Sequence, residues 1–294
     1  MTDSIDERRA LLVTGAGSGL GLESSLYLAE RGYRVFGCVL TEDEDATLRR
    51  EAARRNVVID VRRMDVTRRN EVGATVSAVV AEAGALEGLI HFAGLGLRGF
   101  FEDLTLEEIK DVYEVNVFGV MSVTQAVLPH MRERRRGRII ITSSAGGRMG
   151  AMSIAGYASS KFAVEGFAEC LSQELRPFGI WVSLLEPGLV QTPHFTVNRN
   201  RARNSVNPAS PYYAWFCQHE KIVDDILARG KITPQAVADV VFKVLGARRP
   251  HLRYIVGRNA KLILNLRRYV PGEWFESIYW AAVRRMVTGP RRPV

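Results

Sequence analysis

Tyr157 and Lys161 are four residues apart in the chain, and Ser144 lies thirteen positions before Tyr157. If this segment is helical, residues four apart lie on the same helix face. A lysine ammonium beside a phenol favours the phenolate, so it would lower a pKa that is ordinarily about 10. A tyrosine of this kind can exchange a proton near neutral pH, as the interconversion of an alcohol and a ketone requires. The spacing alone also fits a buried aromatic residue beside a solvated lysine.

The composition of the 294-residue chain, 47% hydrophobic and 24% charged, is that of a globular protein. No apolar run reaches the roughly 20 residues of a membrane span, and the polar N-terminus does not resemble a signal peptide. Cys38, Cys170 and Cys217 are too widely spaced for a CxxC site, and their odd number predicts no disulfide framework. We therefore expect a protein of the reducing cytoplasm.

The net charge of +8 comes mainly from arginine and raises the question of a nucleic-acid partner. Basic runs such as Arg132–Arg136 are not interleaved with aromatic residues and match no nucleic-acid motif, so we interpret them as solvated surface. The five histidines are far apart, without an HExxH motif. We expect neither a nucleic-acid partner nor a metal site.

Short apolar runs alternate with longer helix-period segments over the first 190 residues. The predicted strands are Leu11–Val13, Arg34–Val39, Val57–Val61, Gly88–Phe92, Arg138–Thr142, Trp181–Glu186 and, further on, Arg253–Val256. The predicted helices between them are Leu20–Arg31, Asp45–Arg54, Glu71–Ala83, Leu106–Met131 and Tyr157–Arg176. Such alternation predicts an α/β fold with a doubly wound, Rossmann-like, mostly parallel sheet that helices cover on both faces. Because no linker or repeat divides it, we predict one catalytic domain over residues 1–259.

Residues 193–232 interrupt this alternation with a polar, proline-containing stretch that an aromatic cluster and a predicted helix follow. A long irregular excursion inside a compact α/β domain is usually a lid or a binding loop. The aromatic residues that would line it are Phe195, Tyr212, Tyr213, Trp215 and Phe216. We predict an apolar substrate lid, although any one of these side chains could instead pack in the core.

The last predicted segment, residues 260–294, is a helical extension with a break at Pro271–Gly272. It combines aromatic residues such as Trp274 and Trp280 with arginines such as Arg267 and Arg284. Packing against the main body or a second subunit would explain this pattern. A basic, aromatic helix that lies on a membrane surface would explain it too, so membrane association stays open.

A glycine-rich turn, Thr14-Gly15-Ala16-Gly17-Ser18-Gly19-Leu20-Gly21, follows the predicted strand Leu11–Val13 and precedes a predicted helix. Glycines allow the backbone to turn tightly and to approach a pyrophosphate, whose charge a helix N-terminus favours. The alternative is a plain glycine-rich loop. Its position between a strand and a helix favours dinucleotide binding.

With this turn the chain resembles the short-chain dehydrogenase/reductase family, over roughly residues 9–192. The matching residues, in the order and at the spacing of the family, are the TGxxxGxG turn, Asp65-Val66, Ala93-Gly94, Asn116, Ser144, Tyr157-x-x-x-Lys161 and Pro187-Gly188-Leu189-Val190-Gln191-Thr192. The strand Arg34–Val39 and the C-terminal extension look like the hydroxysteroid and retinol dehydrogenase branch. The resemblance implies an NAD- or NADP-dependent oxidoreductase that interconverts an alcohol and a carbonyl compound.

The resemblance also implies a role for each matching residue. Tyr157 would be the general acid and base, and Lys161 would stabilise the tyrosinate and bind the nicotinamide ribose. Ser144 would position the reacting oxygen, and Asn116 would hold a water that connects the lysine to solvent. The cofactor-binding residues would be Gly15, Ser18, Gly19, Leu20, Gly21, Asp65, Val66, Ala93, Gly94, Tyr157, Lys161, Pro187, Gly188, Val190 and Thr192.

Several of these residues have a structural alternative. Asn116 could only cap or kink its helix, and Asp65 could be an ordinary turn residue after a strand. Ser143 could replace Ser144, although the spacing to Tyr157 favours Ser144. Pro187-Gly188 could be only a turn.

Two departures from the family pattern bear on local geometry and on the cofactor. The family's Asn-Asn-Ala-Gly segment reads His91-Phe92-Ala93-Gly94 here, so Phe92 must be accommodated by packing. The acid that grips the ribose 2′-hydroxyl in NAD-dependent members falls on Val39, and the next residue is Leu40. Four acidic residues, Glu42 to Asp45, follow closely and would repel a 2′-phosphate, so we favour NAD over NADP. They also suit an exposed helix start.

The aromatic lid suggests a bulky lipophilic alcohol or ketone as substrate, such as a steroid or a retinoid. The other walls of the substrate cavity would come from Gly94–Gly99 and Arg148–Ser153. We also expect a homodimer or homotetramer formed through the helices Leu106–Met131 and Tyr157–Arg176. Two competing functions stay open: a non-catalytic dinucleotide-binding regulator, and a peripheral membrane protein acting through its C-terminal helix.

Overall fold

The protein, a computed structural model, is described over residues 9–192, 199–230 and 232–288. In these residues seven strands form one parallel sheet in the order β3-β2-β1-β4-β5-β6-β7. The strands are β1 (Ala10–Thr14), β2 (Arg34–Val39), β3 (Ile59–Arg63), β4 (Leu86–His91), β5 (Gly137–Thr142), β6 (Ile180–Pro187) and β7 (Arg253–Val256). The predicted doubly wound α/β fold is confirmed.

The helices connect the strands and extend the chain beyond β7. They are α1 (Gly19–Glu30), α2 (Glu42–Arg54), α3 (Arg69–Ala83), α4 (Leu106–Tyr113), α5 (Val120–Glu133), α6 (Ala155–Leu175), α7 (Tyr213–Arg229), α8 (Pro234–Gly246), α9 (Arg258–Tyr269) and α10 (Gly272–Thr288). Thr41, Thr105 and Thr233 begin α2, α4 and α8 by accepting a hydrogen bond from the first turn of each helix.

Each face of the sheet is covered by its own helices. Leu11 and Val13 of β1 pack in one cluster with side chains of α1, α2 and α8. Ala10 and Leu12 face the opposite way, into a cluster with side chains of α3, α5 and α6. Because successive strand residues point to opposite faces, a strand buried on both faces is apolar at every position.

The predicted helix Leu106–Met131 is interrupted by a π-helical stretch over Glu114–Gly119, which separates α4 from α5. A π-helical turn inserts a residue into the helix and is frequently found at functional sites. Asn116 lies within it and is fully buried. The other predicted elements agree with the structure to within a few residues.

The two C-terminal helices meet the main body through a small apolar cluster. Leu264 of α9 and Phe275 of α10 pack with Met149, which follows β5 in the chain. The predicted break at Pro271–Gly272 separates the two helices. None of the described helices is both long and apolar enough to cross a bilayer. The boundary at residue 260 stays a prediction.

Candidate active site

The turn between β1 and α1 has a geometry that only glycine accommodates at two points. Gly15 has a φ of +67°, and a Cβ atom on it would lie 2.5 Å from the backbone nitrogen of Ala93. A Cβ atom on Gly21 would lie 2.0 Å from the carbonyl oxygen of Gly15. The first turn of α1 therefore packs directly against the chain that precedes it. Ser18 begins α1 without a hydrogen bond from its side chain to that first turn.

A cavity of about 660 Å³ opens above this turn, at the carboxyl ends of the parallel strands. Its position between β1 and β4, where the strand order reverses, is the usual ligand site of such sheets. All the residues predicted to bind the cofactor line it, as do Ser144 and, of the four acidic residues Glu42 to Asp45, Glu44. At one end of this cavity, the glycine turn and the N-terminus of α1 fit the pyrophosphate of a dinucleotide.

Helix α6 carries Tyr157 and Lys161 on the side that faces this cavity. The Nζ atom of Lys161 donates to the carbonyl oxygen of Thr142, at 2.8 Å, and lies 5.8 Å from the centre of the Tyr157 ring. Burial lowers the pKa of Lys161 to about 8, and the nearby charge of Glu165 opposes this effect. The lysine is thus held in place by a strand end, and two of its three N–H donors are left for other partners.

The pKa of Tyr157 is raised, which corrects the prediction made from its spacing to Lys161. Burial raises this pKa because it disfavours the phenolate, and a hydrogen bond with Ser144 opposes the effect. The sequence pattern indicates that Tyr157 and Lys161 share a helix face. It does not show how far the fold shields the Tyr157 phenol from water.

Ser144 follows β5 and is oriented by its own backbone. Its Oγ atom accepts a hydrogen bond from the backbone nitrogen of Gly146, at 3.0 Å. The hydroxyl proton therefore remains available to the Tyr157 oxygen or to a ligand oxygen. Ser143, the alternative in the sequence, has an Oγ atom that is buried without a hydrogen-bond partner among the described residues.

Asn116 holds the loop that follows β4 through both ends of its side-chain amide. Its Oδ1 atom accepts from the Leu95 nitrogen at 2.8 Å, and its Nδ2 atom donates to the Leu95 oxygen at 2.9 Å and to Ser160 at 3.0 Å. Asn116 does not line the first cavity, unlike the neighbouring Gly94. Its geometry supports a structural role through its side chain, and the predicted water link stays a prediction.

Asp65 stabilises a turn through its side chain and also lines the first cavity. Its Oδ1 atom accepts from the nitrogen of Thr67 at 2.9 Å and from its hydroxyl at 2.7 Å. Burial alone would raise the pKa of Asp65, but these hydrogen bonds and the charge of Arg68 hold it below its ordinary value. The carboxylate is ionised and still presents its second oxygen, which Arg68 approaches to 3.5 Å.

The unusual His91-Phe92 pair is accommodated by packing, as expected. His91 is buried, and its Nε2 atom lies 3.0 Å from the hydroxyl of Thr124. Phe92 packs against the cluster on the α1 side of the sheet, and its backbone nitrogen donates to the Thr14 oxygen at 3.1 Å.

A second cavity, of about 920 Å³, meets the first at the catalytic candidates. Ser144, Tyr157, Pro187 and Gly188 line both cavities. The predicted walls contribute Gly96, Leu97 and Arg98 from one segment, and Met149, Ala151 and Met152 from the other. The lining is mostly apolar, and α9 and α10 complete it with Ile263 and Tyr279.

The predicted aromatic lining of residues 193–232 is wrong for the side chains that are described. Tyr212 stacks on Phe100 with ring centres 4.9 Å apart, Phe216 is buried, and neither lines the cavity. Tyr213 and Trp215 are likewise absent from the described lining, and Phe195 lies outside the described residues. Instead α7 presents His219, Val223 and Ile226, which are spaced along one helix face.

The chain matches the family model for short chain dehydrogenases over residues 9–203. An uncharacterized oxidoreductase of Bacillus subtilis, YusZ, is 35% identical over 278 residues, which cover 92% of this chain and 97% of that protein. Retinol dehydrogenase 8 of Bos taurus is 32% identical over 255 residues, covering 84% and 81%. A solved structure of an actinorhodin polyketide ketoreductase variant with NADPH is 33% identical, with a TM-score of 0.72, and covers 86% of this chain and 97% of that one.

A parallel sheet with a glycine turn at its switch point defines a dinucleotide-binding α/β enzyme. The chain belongs to the short-chain dehydrogenase family, whose members are oxidoreductases that use NAD or NADP.

Proposed function

We propose that the protein interconverts an alcohol and its carbonyl compound on a bulky lipophilic substrate, with Tyr157 as the acid and base. The observation that carries this proposal is the junction of the two cavities, where Tyr157 and Ser144 line both. A substrate in the larger cavity would place its oxygen at these hydroxyls while its carbon faces the smaller one. A dinucleotide-binding regulator would need no such junction.

The residues divide the work between proton transfer and charge stabilisation. Tyr157 donates a proton to the carbonyl oxygen in reduction and accepts it back in oxidation. Ser144 donates a hydrogen bond from its hydroxyl group to the same oxygen and stabilises its developing charge. Lys161, fixed on the Thr142 oxygen, supplies the nearby positive charge and binds the ribose. When bound, the nicotinamide supplies or accepts the hydride.

The lining of the larger cavity supports a lipophilic substrate. Met149, Met152 and Ile154 form one apolar wall, and Val223 and Ile226 belong to another. Methionine side chains adapt to ligands of irregular shape. Retinol dehydrogenase 8, at 32% identity, is a relative whose name also denotes a lipophilic alcohol. Steroid-like and retinoid-like alcohols are therefore the first compounds to test.

The test is the variant Tyr157→Phe, assayed by nicotinamide absorbance on steroid, retinoid and aliphatic alcohols with NAD and with NADP. We expect loss of turnover by about 100-fold or more, because removal of a general acid and base has this order of effect. Tyr279→Phe is the matched control, since this phenol lines the same cavity away from the junction. Full turnover by Tyr157→Phe would refute the assignment.

We also propose NAD as the preferred cofactor, on the basis of the position of Glu44. Its side chain lies against Gly17, where a Cβ atom would come within 2.4 Å of it, and it lines the cavity beside Val39 and Leu40. Its Oε2 atom accepts from the Leu40 nitrogen at 2.7 Å. A carboxylate here can accept from a ribose hydroxyl and would repel a 2′-phosphate.

A second candidate function, docking on an anionic membrane surface, is favoured by the exposed face of α9 and α10. Large apolar side chains are exposed on both helices: Leu262, Leu266, Tyr269, Trp274, Ile278 and Trp280. Six basic residues against two acidic ones lie between residues 258 and 285. Apolar side chains beside cations match the interface of a bilayer with anionic lipids. The same helices line the larger cavity, so a lipophilic substrate would enter from the bilayer side.

The predicted homo-oligomer stays a proposal. Val164 and Leu171 of α6 pack in the core, whereas Phe162 of α6 and Phe118 between α4 and α5 are exposed. These two side chains are the apolar surface that a second copy would cover.

A further inference from the structure

The larger cavity is apolar, but its ionic groups are all of one sign. Among the described residues its lining includes four arginines, Arg98, Arg199, Arg229 and Arg258, and neither an aspartate nor a glutamate. Burying a cation is costly unless a partner compensates it. A cavity for neutral steroids or retinoids alone does not require cations in its lining.

Arg98 is the most informative of the four, because it is 8% exposed and incompletely paired. Its Nε atom donates to Glu220 at 2.6 Å, whereas its Nη2 atom has no hydrogen-bond partner among the described residues. Burial lowers the pKa of Arg98, but a guanidinium keeps its charge in proteins. The cavity wall thus contains a buried, incompletely paired cation, although its Nη2 atom is itself shielded from solvent.

Glu220 does not neutralise this cluster, because three arginines share it. Besides Arg98, it accepts from Arg199 at 3.0 Å and from Arg201 at 2.7 Å. Burial alone would raise the pKa of Glu220, but the arginines hold it at about 2, so the carboxylate is ionised. Even with Asp224 pairing with Arg199, the described members of the cluster carry three positive and two negative charges.

His219, which lines the cavity beside this cluster, adds no charge at neutral pH. Burial, together with the positive charge of Arg98, lowers the pKa of His219 to about 4. Its Nδ1 atom is paired with the hydroxyl of Ser153 at 2.8 Å.

Arg229 and Arg258 provide cations at the exposed part of the same cavity. Arg229 ends α7 and Arg258 begins α9, and both side chains are exposed. The described residues offer neither of them a salt bridge. A ligand that reaches from Tyr157 toward the cavity mouth would meet positive charge both inside and at the rim.

We infer that the substrate is an anionic amphiphile, in which a carboxylate or a phosphate monoester on an apolar skeleton is bound by these arginines. The inference rests on the proposed function, because it assigns the larger cavity to the substrate of Tyr157. Arginine binds both groups through paired N–H donors. The reacting alcohol or ketone would lie toward Tyr157 and the anionic group toward Arg98 or the rim.

Calorimetric titration of the full chain with decanoate, decyl phosphate and decanol tests this inference without turnover. We expect both anions to bind at one saturable site, at least about tenfold more tightly than decanol, which is the worth of one charge-assisted hydrogen bond. Arg98→Gln should remove most of this preference. Arg201→Gln is the matched control, since Arg201 contacts the same Glu220 but does not line the cavity.

Arg258→Gln keeps the test decisive if Arg98→Gln fails to fold, because Arg258 is exposed and makes no salt bridge in the described structure. It should weaken anion binding and leave decanol unchanged. Equal binding of decanoate, decyl phosphate and decanol, or equal effects of Arg98→Gln and Arg201→Gln, would overturn the inference. Failure of the proposed reaction would look different: Tyr157→Phe would keep full turnover while the anion preference persisted. The tighter of the two anions shows whether the arginines favour a carboxylate or a phosphate monoester.

Discussion

His91 lies at the end of β4, within range of the positive charge of Lys161. Burial and, to a smaller extent, the positive charge of Lys161 lower the pKa of His91 to about 3. The ring is therefore neutral in the folded protein from about pH 4 upward. An unfolded chain binds a proton at this residue near its ordinary pKa of about 6.5. Acid consequently favours the unfolded state at this position.

The sign of this effect gives a stability prediction. Between the two pKa values the unfolded state binds more protons, so stability falls as the pH falls from about 6.5 toward 3. From pH 7 to pH 5 the wild-type protein should lose about 2 kcal/mol more than His91→Gln in the free energy of unfolding. Urea denaturation at both pH values measures this difference.

His251→Gln serves as the control, because His251 is an exposed histidine. It shows what a histidine-to-glutamine replacement outside the core does to the same measurement. If His91→Gln and the wild-type protein lost the same amount, the buried ring would not be neutral.

For single residues, the sequence predicts which side chains come together, but it does not predict how buried or how charged their surroundings are. Tyr157, Lys161 and Ser144 come together because their spacing places them on one helix face and on the adjacent strand end. The raised pKa of Tyr157 depends on packing around the phenol, which no local pattern encodes. Arg98 likewise gives no signal in the sequence, since its partner Glu220 is 122 residues away.

Helix α2 brings an acidic residue to the cofactor cavity that the strand before it does not provide. Thr41 caps this helix, and Glu44 in its first turn reaches back to the backbone of Leu40. The sequence indicates the acidic helix start, but the fold selects which of the four acids faces the glycine turn. Glu42 instead pairs with Arg63 on the exposed side.

Replacement of Glu44 should change the cofactor preference. We expect Glu44→Gln to shift the ratio of kcat/KM for NADP to that for NAD by about tenfold toward NADP, because the repulsion of a 2′-phosphate is removed. Steady-state kinetics with both cofactors measures the ratio.

Glu42→Gln is the control, since Glu42 belongs to the same helix turn and does not line the cavity. It should leave the ratio unchanged. A wild-type enzyme that already prefers NADP strongly would contradict the role given to Glu44.

Element boundaries and types were accessible from periodicity, whereas helix faces were not. Residues 212–216 look like a cavity lining because four of the five are aromatic. In the structure Tyr212 and Trp215 lie beside Phe100, and Phe216 is buried away from the cavity. The π-helical stretch at Glu114–Gly119 was also invisible, since its residues continue the apolar helix period. In both cases tertiary packing decides among orientations that the local pattern permits.

In the molecule as a whole, a conventional parallel sheet is followed by two C-terminal helices, α9 and α10, that have one packed side and one exposed side. One side of α9 and α10 packs on Met149 and lines the larger cavity through Ile263 and Tyr279. The other side is exposed, with Trp274 and Ile278 among its apolar residues. Helical periodicity predicted the two helices, while their double role required the fold.

Membrane docking predicts that the full chain co-sediments with vesicles of phosphatidylcholine and phosphatidylserine. The double variant Trp274→Ser with Ile278→Ser should bind at least about tenfold more weakly, because two apolar side chains no longer enter the interface. Vesicles of phosphatidylcholine alone should bind less of the wild-type protein.

Val58→Ser is the control for this experiment, as Val58 is an equally exposed apolar residue before β3. It should not change binding. Retention of binding by the double variant would show that α10 is not the docking surface.

The central strand pair has a further consequence, for the synthesis of the chain. Leu12 of β1 pairs with Leu89 of β4, so ribosomes adding about 5–20 residues per second need roughly 4–15 s to supply the partner. During this interval one edge of β1 stays open to mispairing. Gly15 also rests on Ala93, so the glycine turn is fully packed only once that residue has emerged from the exit tunnel.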